Sequence, residues 1–197
     1  ILLTTRLLAI LPSSRAKPAP RIRGSPTHIL IVLGSGGHTA EMLTILRDLD
    51  PSTYTNRTYV VGSGDAFSAS HARKFEAQLE QRHAKTGGTC TWRYAIVTVP
   101  RARRVHQSLL TTPVSALQCL WCCLQLLRNA EAGYPDLILT NGPGTGVIVV
   151  LASLVLRLCN VGGASSQDKM RTLYIESWAR VKSLSLSGRL LLRVVDR

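Results

Sequence analysis

The stretch GSGGHT, residues 34–39, gathers three glycines, two hydroxyls and a histidine in six positions. Gly34, Gly36 and Gly37 let a backbone turn tightly and come close to a ligand. If a helix opens behind them, its free N–H groups and positive dipole end suit an anion, above all a phosphate, with Ser35 and Thr39 in the same loop. His38, at that helix start, could act as a general base, donate to a phosphate oxygen, or simply cap and pack. A second loop of turn formers, NGPGTG at residues 141–146, contains Asn141, Gly142, Pro143, Gly144 and Thr145. Asn141 could hold a sugar hydroxyl or only make an Asx turn. Glu176 could be a base or accept from sugar hydroxyls, or pair with Arg180 four residues on. Arg101, Arg103 and Arg104 could grip a phosphate or an anionic membrane, or form an ordinary basic surface loop.

Several chemistries are excluded by what these motifs lack. Thr39 stands where a dinucleotide fingerprint has its third glycine, and only Asp65, loosely, occupies the ribose-binding position after the next strand. A dehydrogenase is therefore a poor fit. The Lys-Ser/Thr pair of a phosphate-binding P-loop is absent, and Ser35 is not in a G-x-S-x-G elbow. The remaining reading is a phosphate or diphosphate site with a histidine at a helix start and a carboxylate across the rim, needing no cofactor. Five cysteines, Cys90, Cys119, Cys122, Cys123 and Cys159, have no second Cys or His pair at zinc-site spacing. They read as reduced thiols, mostly in helix packing, and no metal is expected.

The elements that must position these residues follow from periodicity. Residues 28–33 (HILIVL) form an apolar run suited to a strand buried on both faces, and Met42, Leu43, Ile45, Leu46 and Leu49 then recur at helical spacing. Strands are predicted again over residues 57–61, 94–99, 136–140 and 173–175. Asp65 is placed to cap a helix running to about Lys85, with Phe67, Ala72, Phe75 and Leu79 on one side and Arg73, Lys74, Glu76 and Glu80 on a solvated face. Thr112 and Pro113 supply an N-cap and first-turn proline for a helix through Leu127. Residues 147–156 are apolar all round, as expected of a buried helix too short to span a bilayer. Strand and helix alternate, which predicts an α/β fold: a Rossmann-like parallel sheet with helices on both faces and ligands along the carboxyl ends of the strands.

The chain of 197 residues suits one domain, with 24 Lys and Arg against 11 Asp and Glu, a formal charge of +13. That balance favours anionic partners such as phosphates, nucleotides or lipid head groups. Nucleic acid is not expected, since no zinc-finger spacing, RNA-binding motif or basic-aromatic interleaving is present and aromatics are only 5%. Residues 1–12 (ILLTTRLLAILP) read as a truncated membrane-anchor remnant and residues 13–27 as a basic Pro-rich linker, with the domain over residues 28–197 facing the cytosol.

Four blocks, GSGGHTAEM (residues 34–42), PRARRVHQS (100–108), NGPGT (141–145) and YIESWARVKSLSLSGR (174–189), occur in an order that resembles the membrane-anchored subunit of the dolichol-pathway UDP-N-acetylglucosamine transferase. The resemblance implies the N-terminal half of a GT-B glycosyltransferase, here cut short at its C-terminal end and carried by a single-pass anchor in the endoplasmic reticulum membrane. It implies a soluble, UDP-GlcNAc-binding catalytic subunit as partner. It also implies transfer of the second GlcNAc onto GlcNAc-diphosphate-dolichol, in N-glycan precursor assembly, by inverting displacement. In site terms it implies Gly34, Ser35, Gly36, Gly37 and Thr39 around the diphosphate, and Arg101 with Asn141, Gly142, Pro143, Gly144 and Thr145 beside the acceptor. His38 and Glu176 are the catalytic candidates, with the base left open between them. A non-catalytic scaffold for a self-sufficient partner, or a stand-alone phosphate-binding Rossmann protein, are the alternatives.

Overall fold

The computed structural model describes residues 2–15, 25–85, 92–103, 107–108, 110–142, 144–165, 167–178 and 183–196. Five parallel strands, β1 (His28–Val32), β2 (Asn56–Gly62), β3 (Arg93–Val99), β4 (Leu137–Thr140) and β5 (Arg171–Tyr174), form one sheet in the order β3-β2-β1-β4-β5. Ile31 of β1 pairs with Tyr59 of β2 on one side and with Leu139 of β4 on the other. Alternate residues of β1 therefore feed two cores. Ile29 and Ile31 point into a core with Met42, Phe75 and Leu79, from helices α2 (Gly37–Ile45) and α3 (Ala66–Lys85). Leu30 and Val32 point into the opposite one, with Cys119, Cys123 and Val149 from α4 (Thr112–Arg128) and α5 (Thr145–Leu158). The Rossmann-like arrangement expected from the alternation of elements is what the chain adopts.

The boundaries moved in places for local reasons. The α5 helix begins at Thr145 rather than Val147, because Gly144, at φ +69°, turns the chain into it. The α4 helix begins at Thr112 and is flanked by Thr111 rather than capped by Thr112, whose hydroxyl instead donates to the carbonyl of Ser108 at 2.9 Å. Asp65 caps α3 as expected, its Oδ1 accepting from the Ser68 amide at 3.0 Å. A short helix α6 (Leu186–Leu191) in the tail was not foreseen.

Two expectations are corrected. Glu76 is buried, not solvated: it takes a bidentate pair from Arg57 (Nε to Oε1 2.7 Å, Nη2 to Oε2 2.6 Å) and a 2.6 Å hydrogen bond from the Tyr59 hydroxyl. The single-pass anchor is also overturned, since among the described residues no helix is long and apolar enough to cross a membrane. The apolar N-terminal run instead forms α1 (Leu2–Ile10), which at ~1.5 Å per residue is about half the thickness of a hydrocarbon core. It packs on the fold. Ile10 is buried with Val150, Leu154 and Leu191, and Arg6 Nε donates to the carbonyl of Leu158 at 3.2 Å.

Candidate functional site

Strand order reverses direction at β1, so the crevice between the carboxyl ends of β1 and β4 is the switch point where open α/β sheets hold ligands. The two glycine loops leave from these two strands. They meet backbone to backbone: a Cβ on Gly142 would lie 3.0 Å from Gly34 Cα, and one on Gly34 would lie 2.7 Å from His38 Cβ. Only glycine permits that approach on both sides. Gly36, at φ +61°, makes the turn into α2 and leaves Ser35, Gly36 and Gly37 exposed at the helix start. Amides of a first helical turn have no carbonyl partner within the helix, which makes this exposed corner suited to an anion.

Asn141 locks the loops together. It is buried, its Nδ2 donates to the carbonyl of His38 at 2.6 Å, and its Oδ1 has no hydrogen-bond partner among the described residues. The His38 ring is partly exposed, while its Nδ1 is buried, makes no hydrogen bond among the described residues and lies 3.5 Å from Glu41 Oε2. The other oxygen of Glu41 accepts from the Ser177 hydroxyl at 2.8 Å. A polar line thus runs from β4 through the start of α2 to the end of β5. Sequence reasoning missed Glu41 and Ser177. Glu41 could have been found as the neighbour of His38 one helical turn on, whereas nothing in the sequence pairs it with Ser177.

The other candidates are placed as follows. Thr39 is buried, and its hydroxyl bonds the carbonyl of Gly34 and lies 2.7 Å from the Ser68 hydroxyl, so it fastens the loop from beneath. Arg101 stands at the carboxyl end of β3, lies against Gly62 and donates from Nε to the carbonyl of Ser63 at 3.0 Å. Gly142 is buried, Gly144 is exposed with Ala102 nearby, and Thr145 opens α5; Pro143 lies outside the described residues, as do Arg104 and Arg180. Glu176 is on the same rim but turned toward α6: its Oε2 accepts from the Ser185 amide and hydroxyl, both at 3.2 Å, while Ser185 Oγ caps α6 at the Gly188 amide. Among the described residues no group of three or more His, Cys, Asp or Glu side chains could hold a metal ion.

Comparison with known proteins bears on this arrangement. A family model described as "Oligosaccharide biosynthesis protein Alg14 like" matches residues 29–197. A protein of Aspergillus fumigatus named UDP-N-acetylglucosamine transferase subunit alg14 is 46% identical, the match covering 79% of this chain and 88% of that protein. Proteins with the same name are 40% identical in Schizosaccharomyces pombe, over 94% of this chain and 77% of theirs, and 33% identical in Homo sapiens, over 100% and 82%. No solved structure matches.

Proposed function

The chain belongs to the Alg14-like family of oligosaccharide biosynthesis proteins, and from that membership we propose that it is the acceptor-binding subunit of a two-subunit UDP-GlcNAc transferase. It acts as part of a glycosyltransferase complex, and its acceptor is a GlcNAc-diphosphate-polyprenol of the dolichol type. A soluble subunit supplies the donor sugar nucleotide. The observation that carries the reading is the crossing of the two glycine loops, with a buried Asn141 Oδ1 that has no partner among the described residues beside His38.

On this reading the acceptor diphosphate lies against the amides of Ser35, Gly36 and Gly37, where the α2 dipole favours negative charge. Asn141 Oδ1 accepts from an acceptor hydroxyl or amide, gaining the hydrogen bond that no described residue gives it. His38 is assigned the base. Glu41 Oε2 lies 3.5 Å from Nδ1 on the inner side of the ring, which leaves Nε2 to take the proton of the attacking hydroxyl as its oxygen bonds the anomeric carbon and UDP departs. Glu176 is assigned a positioning role, because its carboxylate is committed to the start of α6.

The test is transfer from UDP-GlcNAc to a GlcNAc-diphosphate-lipid by this chain mixed with the soluble subunit. The chain alone is expected to be inactive. His38→Ala is expected to lower kcat about 100-fold in a complex that still assembles, the range of a lost general base. Asn141→Ala should chiefly raise the KM for acceptor. Turnover by the chain alone would overturn the two-subunit reading, and unchanged turnover in His38→Ala would favour a scaffold instead.

A further inference from the structure

The two helix layers covering the sheet differ in chemistry. The layer of α2 and α3 carries Glu41, Glu76 and Glu80, whereas α4 and α5, and the helices α1 and α6 grouped around α5, contain no acidic residue in their sequences. On α4 the outward face carries an apolar stripe beside exposed Gln118 and Gln125. Leu110, just before the helix, and Val114, Leu117 and Trp121 follow one another at steps of four, three and four residues, a single helical stripe, and are 60 to 90% exposed. On the neighbouring α5, Leu151 and Val155 are 41% and 40% exposed. Exposed Arg103 and Arg128 stand before and at the end of α4.

An apolar stripe bordered by arginines, with a tryptophan on it and no acidic residue within α4 or α5, the exposed Glu131 lying beyond Arg128, has the composition of a helix that lies in a membrane interface. We propose that the α4–α5 face rests in the plane of an anionic lipid bilayer, without crossing it. Leu117 and Trp121 enter the boundary between head groups and acyl chains, and Arg103 and Arg128 meet lipid phosphates. The charge of +13 on the whole chain adds long-range attraction to the same surface. Both α4 and α5 begin at the rim holding the glycine loops, so the contact would set that rim beside the lipid head groups. This last consequence rests on the function proposed above, whereas the contact itself does not.

The probe is sedimentation of the chain with phosphatidylcholine vesicles containing or lacking phosphatidylserine. Binding is expected only with phosphatidylserine, and Leu117→Glu with Trp121→Glu should weaken it about tenfold or more, because two apolar anchors are lost and two negative charges gained. Ala77→Glu with Gln78→Glu on exposed positions of α3 makes the same charge change on the other layer and should stay within about twofold. Equal weakening by both pairs, or no binding by the unaltered chain, would overturn the proposal. So would a self-associated chain in sedimentation equilibrium that the α4 pair converts to monomer, since a second copy would then cover the face. In the transferase assay the α4 pair should slow transfer to vesicle-borne acceptor and leave detergent-dispersed acceptor unaffected. Vesicle binding as expected but no transfer to either acceptor would count against the proposed function and leave the membrane contact standing.

Discussion

Gly142 concentrates at one position what the crossing of the two loops requires. A methyl group there would press on the backbone of Gly34, which cannot rotate away as a side chain would. Gly142→Ala is therefore expected to cost about 1–3 kcal/mol, the usual range for overpacking a close contact, and to reduce transfer by the mixed subunits more than that loss of stability explains. Thermal melts beside acceptor KM measurements check this. The glycines and Asn141 could be read from the sequence, because turn formers directly after apolar strands say where a loop lies. What their side chains bond to could not. Glu176 illustrates the limit: its place at a strand end was legible, but its direction depends on Ser185 and on a helix whose Leu191 packs against Ile10 and Val150.

Among the elements, α3 shows how residue type can conceal position. Ala72, Phe75, Glu76 and Leu79 follow the spacing of one helical face, and all four are buried, yet a glutamate among Arg73, Lys74 and Glu80 reads as solvated. Its partner Arg57 lies on β2, also over the ring of Trp92 at 5.2 Å, a pairing across elements that periodicity cannot reveal. Glu76→Ala is expected to cost about 3–5 kcal/mol, because it leaves the Arg57 charge buried without its carboxylate. For a chain of this size that lowers Tm by roughly 10 °C. Replacing Arg57 with Met and Glu76 with Leu together should restore much of the loss, and differential scanning calorimetry of the native chain and these two variants reads it. The parallel sheet was legible because five apolar stretches alternate with helical ones. The fate of α1 was not: the apolar residues of LLTTRLLAI read as a membrane-anchor remnant, and only the contacts of Arg6 and Ile10 with α5 show the helix docked on the fold.

Across the whole molecule, the base of the sheet is drawn together by His28, whose Nδ1 donates to the Gly133 carbonyl at 3.1 Å while Nε2 accepts from the Thr58 hydroxyl at 2.9 Å. Burial holds its pKa below the usual value of 6.5, so the folded chain binds fewer protons here than the unfolded one. Stability from this source is complete above about pH 6.5 and falls as pH drops below it, at no more than ~1.4 kcal/mol per pH unit. Urea unfolding at several pH values should show that slope in the native chain and a shallower one in His28→Gln. At the far edge, Arg15 reaches Asp168 at 2.8 Å and Asp196 at 3.2 Å, while Asp196 also accepts from the Thr172 amide of β5 at 2.8 Å. The opening and closing stretches of the fold are thereby moored to a common post. A protease cut near residue 196 would loosen α1 as well, so damage to one stretch would be diagnosed in the other.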